Sequence, residues 1–400
     1  MLCSRSFLDA VVPQGTGVYD FYQEWSSARN VREGLGVYTP IRETLPRYLG
    51  IRVPPDAEIV WTVNAHPPTS VLLAVPFSYL EYRSAFLAWN VCSLACLGGS
   101  LWICLGTLWD RVRLSALLPL LCALLICEPL REQLIQGQLN LWLLLLITLT
   151  WSSARSGNSI AAGAWLGLAT AIKLFPGFLM LYFVVRRDWR AVLSGGLALG
   201  LASAATALIC GPESYADYVR HVMPTMPPWT GSFTNWSLPG LWCKLFAPTG
   251  HYGPTEPLWD AAWLRPLATA ISTILICGLL AGSAWRDRGP RDFDRSFGLA
   301  VVGMLLVSPV TWSHYFLLLL IPLAVAFCAT TGRPVRRVCL MVSAAVLMIA
   351  TPRLLMFLSP QAFSIEAVRP WDVLITLGIP CYALMVLFVV LWQSRHSENA

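Results

Sequence analysis

Charge is scarce in this 400-residue sequence. Only 12% of its residues are Asp, Glu, Lys or Arg, against roughly a quarter in soluble domains. Hydrophobic residues make up 56% and the mean hydropathy is +0.60. The shortage argues against a soluble enzyme and for a polytopic membrane protein. Clustered basic charge is missing too. The net charge of +6 comes from arginines scattered through short loops, so no nucleic-acid partner is expected. No CxxC…CxxC spacing occurs, and the 12 cysteines therefore outline no zinc site. Most of them (Cys92, Cys96, Cys104, Cys122, Cys127, Cys277, Cys328) sit in apolar runs, where cysteine is a small apolar residue. The opening MLCSRSFLDAVVPQG lacks the basic n-region and long apolar core of a signal peptide and is not a spanning helix. No convincing DxD pair is seen, so neither a metal nor another cofactor is expected.

What the sequence does contain is a series of apolar runs. Spans are expected near 84–108, 114–127, 139–151, 158–172, 174–185, 191–210, 264–284, 296–310, 314–330, 338–351 and 371–393. Several are shorter than the ~20 residues of a perpendicular span. Segments 158–172 and 174–185 are either two passes or one broken pair turning within the bilayer. Residues 69–80 are too short to cross and are expected to lie at the interface or re-enter. The 18 Trp suit interfacial belts.

Loop charge then orients the chain. With residues 1–83 outside, the inside loops are 109–113, 152–157, 186–190, 285–295, 331–337 and the tail from Gln393. They hold half of the 28 Lys and Arg residues in about a tenth of the chain, as the positive-inside rule favours. This orientation counts 158–185 as two passes. It puts 1–68, 128–138, 211–263, 352–370 and the SPVTWSH junction before Tyr315 all outside.

The unusual polar residues fall in those outside segments. Asp20 sits among Tyr19, Phe21 and Tyr22; it is either a helix cap or the kind of carboxylate that serves a sugar hydroxyl as general base. Glu24 lies one helical turn further on and could share its face. His66 precedes two prolines, which stiffen the backbone, and is either a structural interfacial imidazole or a phosphate contact. Glu128, Arg131, Glu132, Gln133, Gln136, Gln138 and Asn140 crowd the hydrocarbon edge, where polar groups are costly unless they face a cavity. The GQLN at 137–140 opens a helix and offers amides to an anion. Lys173 stands alone among the Lys and Arg residues inside an apolar stretch, and the helix breaks at Pro176. It either snorkels or points into a cavity to meet a phosphate. Asn235 begins an NWS sequon near Trp236 and Trp242, a sugar platform or interfacial residues. His314 lies between two spans; a lone imidazole there is usually structural, but the charge map sets it on the same side as Asp20, His66, Lys173 and Asn235.

Six stretches in order resemble the polyprenyl-phosphate-sugar-dependent glycosyltransferases of family 87, in the GT-C superfamily. They are YDFY with GVYTP downstream, HPP opening an apolar helix, QGQLNLWLLLL, AAGAWLGLATAIKLFPGFLMLYFVVRRDWRA, NWSLPGLW and SPVTWSHYFLLLLIPL. The resemblance runs from about residue 17 to 330. It implies an all-α polytopic membrane protein, a GT-C-type helical bundle of about 11 membrane helices with an external active site. The expected parts are an external N-terminal segment (1–83), a first helix bundle (84–210), an external loop (211–263) and a second bundle (264–400). Members begin with a cytoplasmic N-terminus and a first spanning helix, and this chain begins at about the acidic loop, so that helix is expected to be missing or upstream.

The resemblance further implies a lipid-linked sugar donor, mannose or arabinofuranose on a polyprenyl phosphate. The acceptor would be a glycan or glycolipid, the transfer inverting, the location the plasma (inner) membrane among membrane lipid. It maps the catalytic positions onto Asp20 and His314. Lys173, His66 and Gln138 are candidates to hold the phosphate. Asn140, Asn235, Glu24 and Tyr22 are further substrate-binding candidates. A polyprenyl-lipid or solute transporter is the alternative of another class, because it too explains the broken helix at Lys173.

Overall fold

A computed structural model of the chain describes residues 9–12, 18–54, 62–108, 127–249, 255–285, 287, 289–330, 332–349 and 368–394. Among the described residues the regular structure is helical, and extended pairing is limited to isolated bridges of Thr255 with Thr249 and Val368.

Helices α1 (Phe21–Arg32), α2 (Ile41–Leu49) and α3 (Pro68–Ala74) form a cap at one end. The apolar stretch 69–80 is α3 plus a 3-10 turn, Val75–Tyr79. It packs on α1 through Val71 and Ala74 and is too short to cross a membrane. The membrane-like body follows: α4 (Tyr82–Leu108), α5 (Glu128–Gln136), α6 (Asn140–Arg155), α7 (Ser159–Ile172), α8 (Phe178–Val185) and α9 (Trp189–Cys210). A short helix, α10 (Leu238–Phe246), precedes α11 (Leu264–Ala284), α12 (Pro290–Val307), α13 (Leu320–Ala329), α14 (Pro334–Ile349) and α15 (Ile379–Gln393).

Among the described residues three helices are long and apolar enough to cross a membrane, α4, α9 and α11. The number is five if the bent pairs α5–α6 (118°) and Pro370–Leu377 with α15 (49°) each count as one span. Eleven spans are thus not established by length and composition. The expected span near 114–127 and the loops 109–113 and 352–370 lie almost wholly outside the described residues.

The surface is inverted relative to a soluble protein. On α9 the side chains of Leu193, Leu197, Leu201 and Leu208 are each more than 60% exposed, and Trp102 on α4 is 81% exposed. An apolar belt of this extent needs lipid around it.

The two ends of the bundle differ in charge. Arg155 donates to Asp294 at 2.9 Å, joined by the Trp151 indole at 3.0 Å. Arg186 pairs with Asp287, which also accepts from Ser296. Burial pushes the Asp287 carboxyl up to about 6. Arg295 reaches Asp292 at 3.6 Å. The expected inside loops 152–157, 186–190 and 285–295 therefore meet at one end. Lys173, midway between Arg155 and Arg186 in sequence, lies at the opposite end over Tyr315. Hence α7 and α8 run antiparallel between the two ends, the geometry that the two-pass alternative calls for, although each is shorter than a spanning helix.

Small residues set the tightest contact. A Cβ on Gly163 would stand 2.0 Å from the Ala191 carbonyl oxygen, and one on Gly167 2.3 Å from that of Gly195. The glycines let α7 and α9 pack backbone to backbone, the small-xxx-small device of membrane helices.

Candidate active site

A cavity of about 600 Å³ opens at the end away from the arginine cluster, within the size range of small-molecule sites. Six segments distant in sequence build it: α1, residues 65–67, the α5–α6 turn, the break after α7, residues 218–234 and the junction 308–315.

Asp20 precedes Phe21 at the start of α1 and faces the cavity. It does not cap the helix through its side chain. Its Oδ2 accepts a hydrogen bond from Gln138 Nε2 at 2.6 Å. Gln138 is held in turn: its carbonyl accepts from the Gln133 amide, whose Oε1 accepts from Asn140 Nδ2 at 3.0 Å. The chain turns here through Gly137 at φ 64°, a conformation that favours glycine. A Cβ at Gly137 would also lie 2.6 Å from that of Phe21. This close approach brings Gln138 within reach of Asp20. Gln138 Oε1 has no hydrogen-bond partner among the described residues.

His66 lines the cavity beside Pro67. Its Nδ1 lies 2.5 Å from Glu24 Oε1. The Tyr38 hydroxyl donates to the His66 carbonyl at 2.8 Å, and Asn64 Oδ1 accepts from the His66 amide at 2.9 Å. Gln23 Oε1 accepts from the Ala65 amide at 2.9 Å.

The α7 helix ends at Ile172, and Lys173 follows in extended backbone at φ −150°, ψ 130°. Its ammonium lies 4.4 Å from the Tyr315 ring centroid, and Phe175 stacks on the same ring at 5.1 Å. Among the described residues no carboxylate pairs with it. His314 opens the 3-10 turn Ser313–Leu319, packs against Tyr315 at 5.1 Å and is 7% exposed. Its Nε2 has no hydrogen-bond partner among the described residues.

Other candidates sit outside the lining. Tyr22 is buried with its hydroxyl on Thr44 at 3.1 Å, and burial pushes that hydroxyl's pKa up. Asn140 is buried beneath Gln133. Glu24 stands behind His66. Asn235, expected to bind substrate, is a clamp instead. Its Nδ2 donates to the Thr230 and Pro309 carbonyls at 2.9 and 2.8 Å. Its Oδ1 accepts from the amides of Thr311 and Ser237 at 2.9 and 3.1 Å. The amide's hydrogen-bonding capacity is filled, and at 1% exposure the sequon is closed to glycosylation in the folded chain. Lys244 locks the same loop by donating to the carbonyls of Phe233 and Asn235; burial pushes its ammonium down to about 8. Asn235→Ala leaves several buried groups unsatisfied, at about 1–3 kcal/mol each. It should lower the unfolding midpoint in detergent by several degrees; an unchanged midpoint would contradict the clamp.

The cavity also holds residues to which the sequence assigned no catalytic or binding role. Glu132 accepts from the Ser313 hydroxyl beside His314. Trp229 meets Trp312 edge to face at 6.1 Å, and Phe233, Met223 and Met226 extend this apolar wall. The tryptophans that line the cavity are therefore Trp229 and Trp312. Trp236 is 1% exposed, and Trp242 stacks on Phe246 at 6.1 Å. Glu132 was signalled by the polar crowding of 128–140. Met223 opens a 3-10 turn, Met223–Thr225, Met226 precedes the four-residue helix Pro227–Thr230, and Trp229 lies in that helix; elements this short have no periodicity to reveal them. Among the described residues no group of three His, Cys, Asp or Glu could hold a metal ion.

The arrangement provides two carboxylates, an oriented imidazole, a second imidazole and an ammonium, together with apolar and aromatic surface. That suits activation of a hydroxyl beside a departing anion.

Comparison with known proteins bears on this chemistry. The sequence profile of Glycosyltransferase family 87 matches residues 64–309. A polyprenol-phosphate-mannose-dependent alpha-(1-2)-phosphatidylinositol mannoside mannosyltransferase of Mycobacterium tuberculosis is 28% identical over 344 residues, 81% of this chain and 75% of the relative. A pentamannoside mannosyltransferase of the same dependence from Mycolicibacterium smegmatis is 27% identical over 79% of this chain and 73% of its own. An alpha-(1->3)-arabinofuranosyltransferase of Corynebacterium glutamicum is 27% identical over 80% of this chain and 69% of its own. No solved structure matches the chain.

Proposed function

This chain belongs to glycosyltransferase family 87 and is a membrane glycosyltransferase, and from that premise we propose that it moves mannose or arabinofuranose from a polyprenyl-phosphate carrier to a glycan or glycolipid. The cavity faces outward from the plasma membrane, the bundle crosses about 11 times, and transfer inverts the anomeric centre. The observation that carries this reading is the convergence of Asp20, His66, Lys173 and His314, up to almost 300 residues apart, on one cavity opposite the arginine-rich end. The same charge asymmetry supports the outward orientation. It weighs against the transporter alternative, since alternating access places its groups near the midplane. The named relatives are transferases as well.

The donor is a phosphodiester monoanion. As C1 parts from the phosphate oxygen, the carrier becomes a phosphate monoester with a second negative charge. Lys173 meets that charge with a fixed cation. Asp20 takes the proton of the attacking hydroxyl, with His314 on the same cavity as orienting partner or alternative base. Asp20 also offers negative charge to the oxocarbenium-like transition state. Trp229 and Trp312 hold a sugar face, and the methionine wall suits the first isoprene units.

The test is transfer of radiolabelled mannose from polyprenyl-phosphate mannose, with the arabinofuranose donor in parallel, to a glycolipid acceptor by the reconstituted chain. Acceptor-dependent product is expected; flipping of the donor without transfer would overturn the reading. Lys173→Met should raise the donor KM by about 10-fold or more, the scale of a charge-assisted contact, with the acceptor KM little changed. An unaltered donor KM would mean that the lysine only packs on Tyr315.

A further inference from the structure

The Glu24–His66 pair is more elaborate than a phosphate contact requires. Glu24 is 2% exposed and His66 9%. Both are held from several directions: the 64–66 segment is gripped through Gln23, Ser27 and Tyr38, and Nδ1 is directed at Glu24 Oε1 at 2.5 Å. A histidine whose Nδ1 is engaged by a carboxylate has its tautomer and ring plane set, and presents Nε2 alone. Here the ring edge belongs to the cavity wall. A buried carboxylate is costly unless paired, and His66 is the partner that Glu24 has in the described structure.

One helix therefore carries two carboxylates with different placements. Asp20 sits at the start of α1 and meets the cavity directly through the Gln138 bond. Glu24 is one turn deeper and acts only through an imidazole. Lys173 and His314 also line this cavity, as does Glu132. Such pairs of titratable groups in contrasting environments divide acid from base roles.

We infer that His66 is the proton donor to the departing carrier phosphate, and that Glu24 is the positioning residue that holds it for this task. The inference rests on the reading that the donor is a polyprenyl-phosphate sugar. The step balances. The C1–O bond breaks and its electron pair goes to the phosphate oxygen, which takes the proton from Nε2 of the His66 imidazolium and leaves a neutral imidazole with its Nδ1–H on Glu24. The acceptor oxygen bonds C1, and its proton goes to Asp20. Return of one proton from Asp20 to His66 through solvent resets the site, leaving glycoside and polyprenyl hydrogen phosphate.

The experiment compares wild type, Glu24→Gln, His66→Gln and Asp20→Asn as full-length reconstituted chains. Two donors are used: polyprenyl-phosphate mannose, and its analogue with a difluoromethylene phosphonate in the carrier, a less basic leaving group. Binding of polyprenyl phosphate alone is followed by thermal shift. Glu24→Gln keeps the shape and an acceptor for Nδ1–H but loses the charge. It should lower kcat by about 10-fold and His66→Gln by about 10²-fold, within the span of general-acid loss, with acceptor KM unchanged. Both losses should shrink with the fluorinated donor, and that of Asp20→Asn should not. A merely structural pair would lose activity equally with either donor, and that result would overturn the inference. So would wild-type kcat in Glu24→Gln. If the wild type binds polyprenyl phosphate but moves no sugar, the proposed function fails instead. Should Glu24→Gln not fold, His66→Gln carries the same donor comparison.

Discussion

Asp20→Asn should bind the lipid-linked donor as wild type does and transfer sugar at least about 10²-fold more slowly, the loss expected when a general base is removed. The substitution is conservative in shape. Gln138 Nε2 donates to Asp20 Oδ2 at 2.6 Å, and the Asn carbonyl oxygen can accept the same bond. What disappears is the negative charge and the ability to take a proton. The two roles proposed for Asp20 separate with azide, a nucleophile that has no proton to lose. If Asp20 is the base, azide should restore donor consumption by Asp20→Asn and yield the glycosyl azide. If its charge chiefly stabilises the oxocarbenium-like state, azide should not help, because that loss is independent of the nucleophile. Transfer near the wild-type rate by Asp20→Asn would remove Asp20 from the chemistry and direct attention to Glu132, which lines the same cavity.

Much of this site was legible because topology, not local pattern, carries the information. Asp20, His66, Lys173 and His314 each had an ordinary explanation alone. Arginine-rich loops fixed which ends of the helices face the same side, and the cavity brings those four together. The Glu24–His66 contact was half legible: the i, i+4 spacing from Asp20 put Glu24 on a shared face, but its partner lies 42 residues away and only the fold brings them together. Asn235 shows the opposite case. A polar residue beside tryptophans resembles a ligand contact, but its partners Pro309 and Thr311 are more than 70 residues on. Span counting fell short for a length reason. The 14-residue α7 and 8-residue α8 run antiparallel, but each is shorter than any hydropathy window of spanning length.

Gly167→Leu should cost the chain its stable fold, because the contact it breaks involves backbone on both sides. The new Cβ alone would lie 2.3 Å from the Gly195 carbonyl oxygen and 3.0 Å from the Ala198 Cβ. A backbone carbonyl cannot rotate away as a side chain can, so α7 and α9 must part along their length. Overpacking of well-fitted contacts costs about 1–3 kcal/mol, and a backbone clash lies at or above the top of that range. Gly163 is as tightly confined by the Ala191 carbonyl oxygen, at 2.0 Å, which leaves little slack one turn away to absorb the shift. The damage reaches the site, because α7 ends one residue before Lys173 and α9 leads into the 218–234 wall. Gly196→Leu is the matched control on α9: its Cβ position meets nothing within 4 Å, and it adds an apolar side chain to a face already covered with leucines. In detergent, Gly167→Leu should lose most of its monodisperse protein, and any folded remainder should have lost donor binding before acceptor binding. Gly196→Leu should elute and melt as wild type does. Equal behaviour of the two variants would mean that α7 and α9 do not meet backbone to backbone, and the placement of Lys173 would then need another support.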